Sequence, residues 1–232
     1  MESEPAGVLD KAVRLLGLLA SGAPASAARL ARDAGLARPT AYRLLAALEG
    51  HRLVDRGADG GYRLGLRHLE WAAAVTSEHR IIEVARPILD ALRDEIGESV
   101  QLYLRQGAVR VCVLAAERPS GLRDTVPVGA ALPLERGSGG RIFLAFGPDP
   151  WDRLPVDLAV LAQVREAGWA ATVADREPGV ASVSAPVLGP GGELAAVVSI
   201  SGPIDRLGTD PGRAFGDRVR EAAAAVARAA FG

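Results

Sequence analysis

Histidine occurs only at His51, His68 and His79, and Cys112 is the only cysteine in a chain of 232 residues. Beyond residue 79 no imidazole is available, so a Ser-His-Asp triad, a Cys-His pair or a histidine metal site cannot be assembled there from one chain. A lone cysteine excludes an internal disulfide and a cysteine-based zinc site. Asp175 and Glu177 resemble paired carboxylates, but nothing positions a partner for them. They read as loop solvation or as hydrogen-bond partners of a ligand amine. No catalytic residue, cofactor or metal site is expected, and so no enzyme activity. The chemistry left is recognition, by guanidinium and hydroxyl groups near the N-terminus and by hydroxyls and glycines further on.

The first set needs a helix. Arg38, Thr40, Tyr42 and Arg43 fall within two helical turns and cannot all be buried. An N-terminal turn with small, hydroxyl and guanidinium side chains suits a DNA major groove, where arginine reads guanine bidentately and hydroxyls reach phosphates. Ser26 caps a preceding short helix whose Leu30 and Ala34 share a face. Gly35 ends it, because glycine takes the left-handed conformation without steric cost. Pro39 opens the next helix, where its missing N–H does no harm, and Leu44, Leu45 and Leu48 form that helix's buried stripe. Strands at 53–56 and 62–64, joined through Asp59-Gly60-Gly61, complete a winged helix-turn-helix. Arg56 and Arg63 lie on the wing, for the sugar-phosphate backbone. The candidate DNA-binding residues are therefore Ser26, Arg38, Pro39, Thr40, Tyr42, Arg43, Arg56 and Arg63.

Charge supports this reading against a protein-docking winged helix. Residues 26–67 hold eight arginines and four carboxylates, an excess of four in a chain whose net charge is −1. The remainder is thus acidic, and the segregation points to a nucleic-acid partner for the head. Lys11 is the only lysine, so arginine dominance also has a compositional origin.

The second set needs a sheet. Ser182 with Ser184, and Ser199 with Ser201, are spaced by two, which puts each pair on one face of its strand. Hydroxyls amid Val183, Val187, Val197 and Ile200 suit a mostly apolar pocket with a few directional polar groups, or else the solvent face of an edge pair. Gly137-Ser138-Gly139-Gly140 lacks the Lys-Ser/Thr of a nucleotide loop. Its amides, at the start of a helix over 141–146, either hold a small carboxylate or simply turn tightly.

The other elements follow in order. The spacing of Leu9, Ala12, Val13, Leu16 and Leu19 predicts a helix over 8–20 that packs under the helix-turn-helix. A helix over 66–79 has more apolar residues than one face needs, which either pairs it with a second copy of itself or packs it on its own C-terminal domain. A helix over 80–96 contains Pro87 and should kink or break near Arg86. Strands are expected over 99–105, 109–114, 122–128, 169–174, 181–188 and 194–201. Further helices are expected over 157–167 and 211–230, with an irregular connection from Gly147 through Pro155. This is an α+β protein with an antiparallel sheet. Its expected domains are residues 1–65, a linker helix at 66–79, and 80–232. No run approaches the ~20 apolar residues of a membrane span, and Met1-Glu2-Ser3-Glu4 is unlike a secretory signal, so a cytoplasmic location without a membrane partner is expected.

Val8-Leu9-Asp10-Lys11-Ala12, Leu36 through Leu45 and Tyr62-Arg63-Leu64-Gly65 resemble, in order and spacing, the IclR family of bacterial transcriptional regulators. So do Val126-Pro127-Val128-Gly129, Glu177-Pro178-Gly179-Val180, Ala185-Pro186-Val187 and Ser199 through Pro203. The resemblance implies a winged helix-turn-helix, a linker helix and a GAF-like effector domain. It also implies double-stranded operator DNA, a small-molecule effector and a homodimer or tetramer, acting as repressor or activator. Gly97 through Tyr103 and Ala116 through Thr125 are similar to the NdgR-type subgroup. That similarity implies control of leucine and other amino-acid biosynthesis genes, with an amino acid or related carboxylate as effector. Carried over by position, the effector contacts fall at Ser138, Gly139, Thr172, Val180, Ser182, Ser199 and Ser201, beside Gly140 of the glycine loop. The chain departs from the family pattern at Gly140-Arg141-Ile142, usually Gly-Lys-Ala. Ser182 replaces a common cysteine and Thr172 a frequent acid, so the particular ligands of better-known members, such as glyoxylate and aromatic acids, are not carried over to this chain.

Overall fold

Ser26 does cap its helix: the hydroxyl accepts the Arg29 N–H at 3.3 Å. The structure is a computed structural model and describes residues 7–148 and 157–232. The connection expected through Asp149, Pro150 and Pro155 lies outside the described residues. The chain divides into two compact units, one ending at Glu78 and the other starting at His79.

The first unit runs α1 (Val8–Ala20), α2 (Ala27–Asp33), α3 (Arg38–Gly50), β1 (Val54–Arg56), β2 (Tyr62–Leu64) and α4 (Arg67–Glu78). Gly35 takes φ of +64° between α2 and α3, and Pro39 stands in the first turn of α3. The wing pairs Val54 with Leu64, Asp55 with Arg63 and Arg56 with Tyr62. Its turn closes when the Asp59 carboxylate accepts the Gly61 N–H at 3.0 Å. Tyr62 also exchanges backbone hydrogen bonds with Ala25, which ties the wing to the loop before α2.

Helix α1 does not bury the stripe expected of it. Leu15 and Leu19 enter the core, while Leu9 and Val13 are 74% and 57% exposed. The helix is apolar on more than one side, so its periodicity leaves open which side faces inward. Leu69, Trp71 and Val75 of α4 are exposed as well.

The second unit is built on a six-stranded antiparallel sheet in the order β5-β4-β3-β8-β7-β6. These strands are β3 (Ser99–Gln106), β4 (Val109–Ala116), β5 (Ala131–Pro133), β6 (Ala170–Val173), β7 (Val180–Leu188) and β8 (Leu194–Pro203). The helices are α5 (Arg80–Ile96), α6 (Gly137–Phe146), α7 (Leu158–Ala167), the short α8 (Ile204–Leu207) and α9 (Pro211–Phe231). Period-two alternation sorts the sheet's side chains into two cores. Val100, Leu102, Val183, Ala185, Val198 and Ile200 pack with α5 and α9. Tyr103, Cys112 and Val197 pack with α6 and α7 on the opposite face. Covered on both sides, the sheet makes the middle of three layers.

Three expectations for this unit give way. Residues 122–128 form no strand: Pro127 lacks the ladder N–H, and the segment is held by side chains instead, Arg206 donating to the Leu122 carbonyl at 2.7 Å and Arg176 to Asp124. Pro87 does not break α5, which continues from Arg80 to Ile96. Helix α6 begins at Gly137, so the glycines are its first turn and not a loop before it.

Candidate functional site

On α3, Ala41, Leu44, Leu45 and Leu48 face the core, which turns Arg38, Pro39, Tyr42 and Arg43 outward. Tyr42 is 51% exposed and Thr40 half-buried. The arginines of this unit divide by what they touch. Arg29 and Arg52 pair with Asp33 and Glu70 at 3.4 and 3.0 Å. Arg56 lies over the Tyr62 ring, 5.8 Å from its centroid. The side chains of Arg38, Arg43 and Arg63 make no ion pair or hydrogen bond among the described residues. Exposed guanidinium groups without carboxylate partners keep their donors for an outside acceptor, and phosphate or a guanine edge is what such a fork fits.

In the second unit the hydroxyls meet. Register places Ser182 opposite Ser201 and Ser184 opposite Ser199, all on the face that α6 covers. Ser138, in the first turn of α6, reaches down between them. Its hydroxyl lies 2.8 Å from that of Ser182 and 2.7 Å from that of Ser184. Thr172 continues the series from Ser182 at 2.9 Å, and Ser199 from Ser184 at 2.7 Å. Four hydrogen bonds thus join five hydroxyls, leaving one proton over on Thr172 or Ser182. Because the Ser138 hydroxyl donates to Ser182, Ser184 donates to Ser138 and Ser199 to Ser184, which leaves the Ser199 oxygen free to accept. Ser184 is fully buried and Ser199 and Ser201 nearly so, which removes the solvent-face alternative. Ser201 itself donates to Gln101 Oε1 at 3.2 Å.

These groups border a small cavity of about 20 Å³ lined by Tyr103, Arg110, Asp124, Gly137, Ser138, Gly139, Arg176, Ser182, Ser199 and Ser201. That space suits about one water, so a metabolite enters only if a wall moves. Arg176 and the buried Asp124 form an ion pair of 2.5 Å along one wall. The Asp175 carboxylate accepts the Gly137 N–H at 2.7 Å, and so already holds the first amide of α6. It caps this helix from a distant loop, a role not readable from sequence. Cys112 is no nucleophile: burial pushes its thiol up to about 12, and its S–H donates to the Leu114 carbonyl at 3.4 Å.

Residues 8–57 match the model of the IclR helix-turn-helix domain, and residues 73–153 with 157–228 match that of the bacterial transcriptional regulator IclR C-terminal domain. The chain belongs to the IclR family. It is a DNA-binding transcriptional regulator of the IclR type. The glycerol operon regulatory protein of Streptomyces griseus is 30% identical to it, covering 95% of this chain and 94% of that one. The DNA-binding transcriptional repressor YiaJ of Escherichia coli is 31% identical over 78% of this chain and 72% of its own. Among solved structures, an IclR homolog from Microbacterium hydrocarbonoxydans complexed with 4-hydroxybenzoate superposes with a TM-score of 0.81, at 24% identity, covering 96% of this chain and 98% of that one. That likeness establishes the IclR-like fold.

Of the candidate effector positions, Ser138, Gly139, Ser182, Ser199 and Ser201 line the cavity. Thr172, Val180 and Gly140 do not. Thr172 touches it only through Ser182. Val180 is taken up in backbone bonds at the mouth of β7, and a Cβ on Gly140 would meet the Leu134 carbonyl. Tyr103, Arg110, Asp124 and Arg176 were not anticipated. Arg110 had left a signal, standing in phase with the inward-facing Cys112, on the face that α6 covers.

Proposed function

We propose that this IclR-type regulator is a homodimer or tetramer that reads operator DNA through α3 and the wing. In this reading its C-terminal unit takes up a small metabolite, which changes how two heads meet two half-sites, a coupling between distinct sites. The observation that carries it is the set of exposed, unpartnered guanidinium groups at Arg38, Arg43 and Arg63, in a unit separate from the hydroxyl-lined cavity. Exposed apolar residues on α1 and α4 support self-association, since a helical unit seldom leaves so many uncovered without a partner. Similarity to NdgR-type members supports leucine and other amino-acid genes as targets. The 4-hydroxybenzoate held by the Microbacterium hydrocarbonoxydans homolog supports a small carboxylate as effector.

A gel-shift titration against duplex DNA from the chain's own upstream region, over a salt series, tests the DNA half. If Arg56 and Arg63 of two heads neutralise about four phosphates, log affinity falls against log salt with a slope of about −4. Absence of any complex at low salt would sink the reading. For the cavity, Ser199→Ala combined with Ser201→Ala is expected to weaken effector binding about tenfold or more by calorimetry, from two lost hydrogen bonds of ~1 kcal/mol each. Operator affinity without effector stays within about twofold, because neither serine is on the head. Unchanged calorimetric binding counts against the cavity.

A further inference from the structure

Arg110 is 3% exposed and has no carboxylate partner among the described residues. Its side chain lies between the Tyr103 ring, 5.5 Å from the centroid, and the first turn of α6. Contact with that turn is close: added Cβ atoms on Gly137 and Gly140 would stand 3.0 Å from its guanidinium nitrogens, and one on Gly139 3.3 Å from Nε. The glycine run therefore exists in part to admit a guanidinium. One nitrogen donates to the Pro133 carbonyl, and Nε is buried with no partner.

This placement is electrostatically adverse. The N-terminus of α6 carries partial positive charge, so a cation against it is repelled where an anion would be held. Burial adds to the cost, drawing the guanidinium's proton affinity down. Arg176, the other cation lining the cavity, is neutralised by Asp124; Asp175 acts on Arg110 only through space, holding the Gly137 amide and pairing with Arg141 at 3.8 Å. What remains is one buried positive charge, an orphan N–H, and the amides of Ser138 and Gly139, which bond no acceptor among the described residues outside their helix.

We infer that Arg110 is the specificity-determining residue of the cavity and that it selects a ligand with a single carboxylate, seated against Nε and the first turn of α6. One uncompensated charge matches a monoanion and not a doubly charged phosphate ester. A planar carboxylate also accepts from a guanidinium edge and from backbone amides at once. This deepens the reading of the cavity as the effector site and rests on it.

The experiment is a thermal-shift series on the full chain and on Arg110→Gln and Arg110→Met. Probes are acetate, lactate, leucine and 4-hydroxybenzoate, each paired with its primary amide, plus inorganic phosphate. Two results are expected. At least one carboxylate raises Tm of the native chain by more than about 2 °C, from saturation of a native-state site, while its amide does not and Arg110→Gln abolishes the shift. Without ligand, Arg110→Met melts no more than about 2 °C below the native chain, because a methionine of similar length carries no charge to leave unpaired. The inference is overturned if the amides stabilise as well as the acids or if phosphate alone acts. It is equally overturned if no carboxylate shifts the native chain more than Arg110→Gln, or if Arg110→Met is strongly destabilised, which would make Arg110 a buttress of α6. Each of these outcomes leaves the upstream-DNA titration standing, so the two readings fail separately.

Discussion

Replacing Arg43 with alanine is expected to weaken operator binding by roughly 10- to 100-fold per head, the cost of one bidentate base contact of about 1–3 kcal/mol. Arg43 is exposed on α3, opposite the buried Leu44, Leu45 and Leu48, and its guanidinium bonds no other described residue. Truncating it therefore leaves the packing of the head intact, and Tm should stay within about 1–2 °C of the native value. The loss then belongs to recognition and not to folding. Arg43→Lys separates two mechanisms. A phosphate contact tolerates lysine as a point charge, whereas a bidentate fork on guanine does not, so a base-reading Arg43 leaves the lysine variant nearly as impaired as alanine. A gel-shift titration measures both, and a native-like affinity for Arg43→Ala removes this residue from the interface.

The second large effect belongs to Gly140→Ala. A Cβ there would lie 2.1 Å from the Leu134 carbonyl oxygen and 3.0 Å from an Arg110 guanidinium nitrogen. A backbone carbonyl cannot swing aside as a side-chain tip can, so the first turn of α6 has to lift from the sheet. Forced overpacking of this kind costs about 3 kcal/mol. In a unit of this size that lowers Tm by about 6–12 °C. The lifted turn also carries Ser138 away from Ser182 and Ser184, breaking the hydroxyl series in its middle, so effector response should be lost even where the variant remains folded. Calorimetric melting, with a ligand titration well below the melting range, tests both parts. A variant that melts like the native chain would show that α6 does not sit as tightly as this contact requires.

These two residues differ in how readily the sequence discloses them. Arg43 is legible because everything that places it is local. Ser26 caps one helix, Gly35 turns, Pro39 starts the next, and three leucines state which side is buried. The outward side follows by helical geometry alone. The serine row is legible for a similar reason, since a spacing of two puts Ser182 with Ser184, and Ser199 with Ser201, on a common face whatever the partner strand. Gly140 reads as part of a loop, because a glycine run ordinarily argues against a helix. Its reason lies in Leu134 and Arg110, which no local pattern connects to it.

The same limit explains the strand expected at 122–128 and the face expected of α1. In the first, alternation over a short stretch is outweighed by Pro127 and by the ties of Asp124 to Arg176 and of Leu122 to Arg206. In the second, a helix with apolar residues on two sides satisfies the core with either, and the neighbours decide.

By itself, the order of residues determined most of the periodic elements, several of their caps and turns, the arginine-rich head, and the absence of histidine beyond residue 79. These are properties of neighbours a few positions apart, governed by helical and strand repeat. Only the tertiary structure decided that Ser138 bridges two strands, that Asp175 holds the start of α6, and that Arg110 is enclosed without a counter-ion. Each of those joins groups more than twenty residues apart, and the energy of a charge depends on the dielectric and partners that folding brings around it.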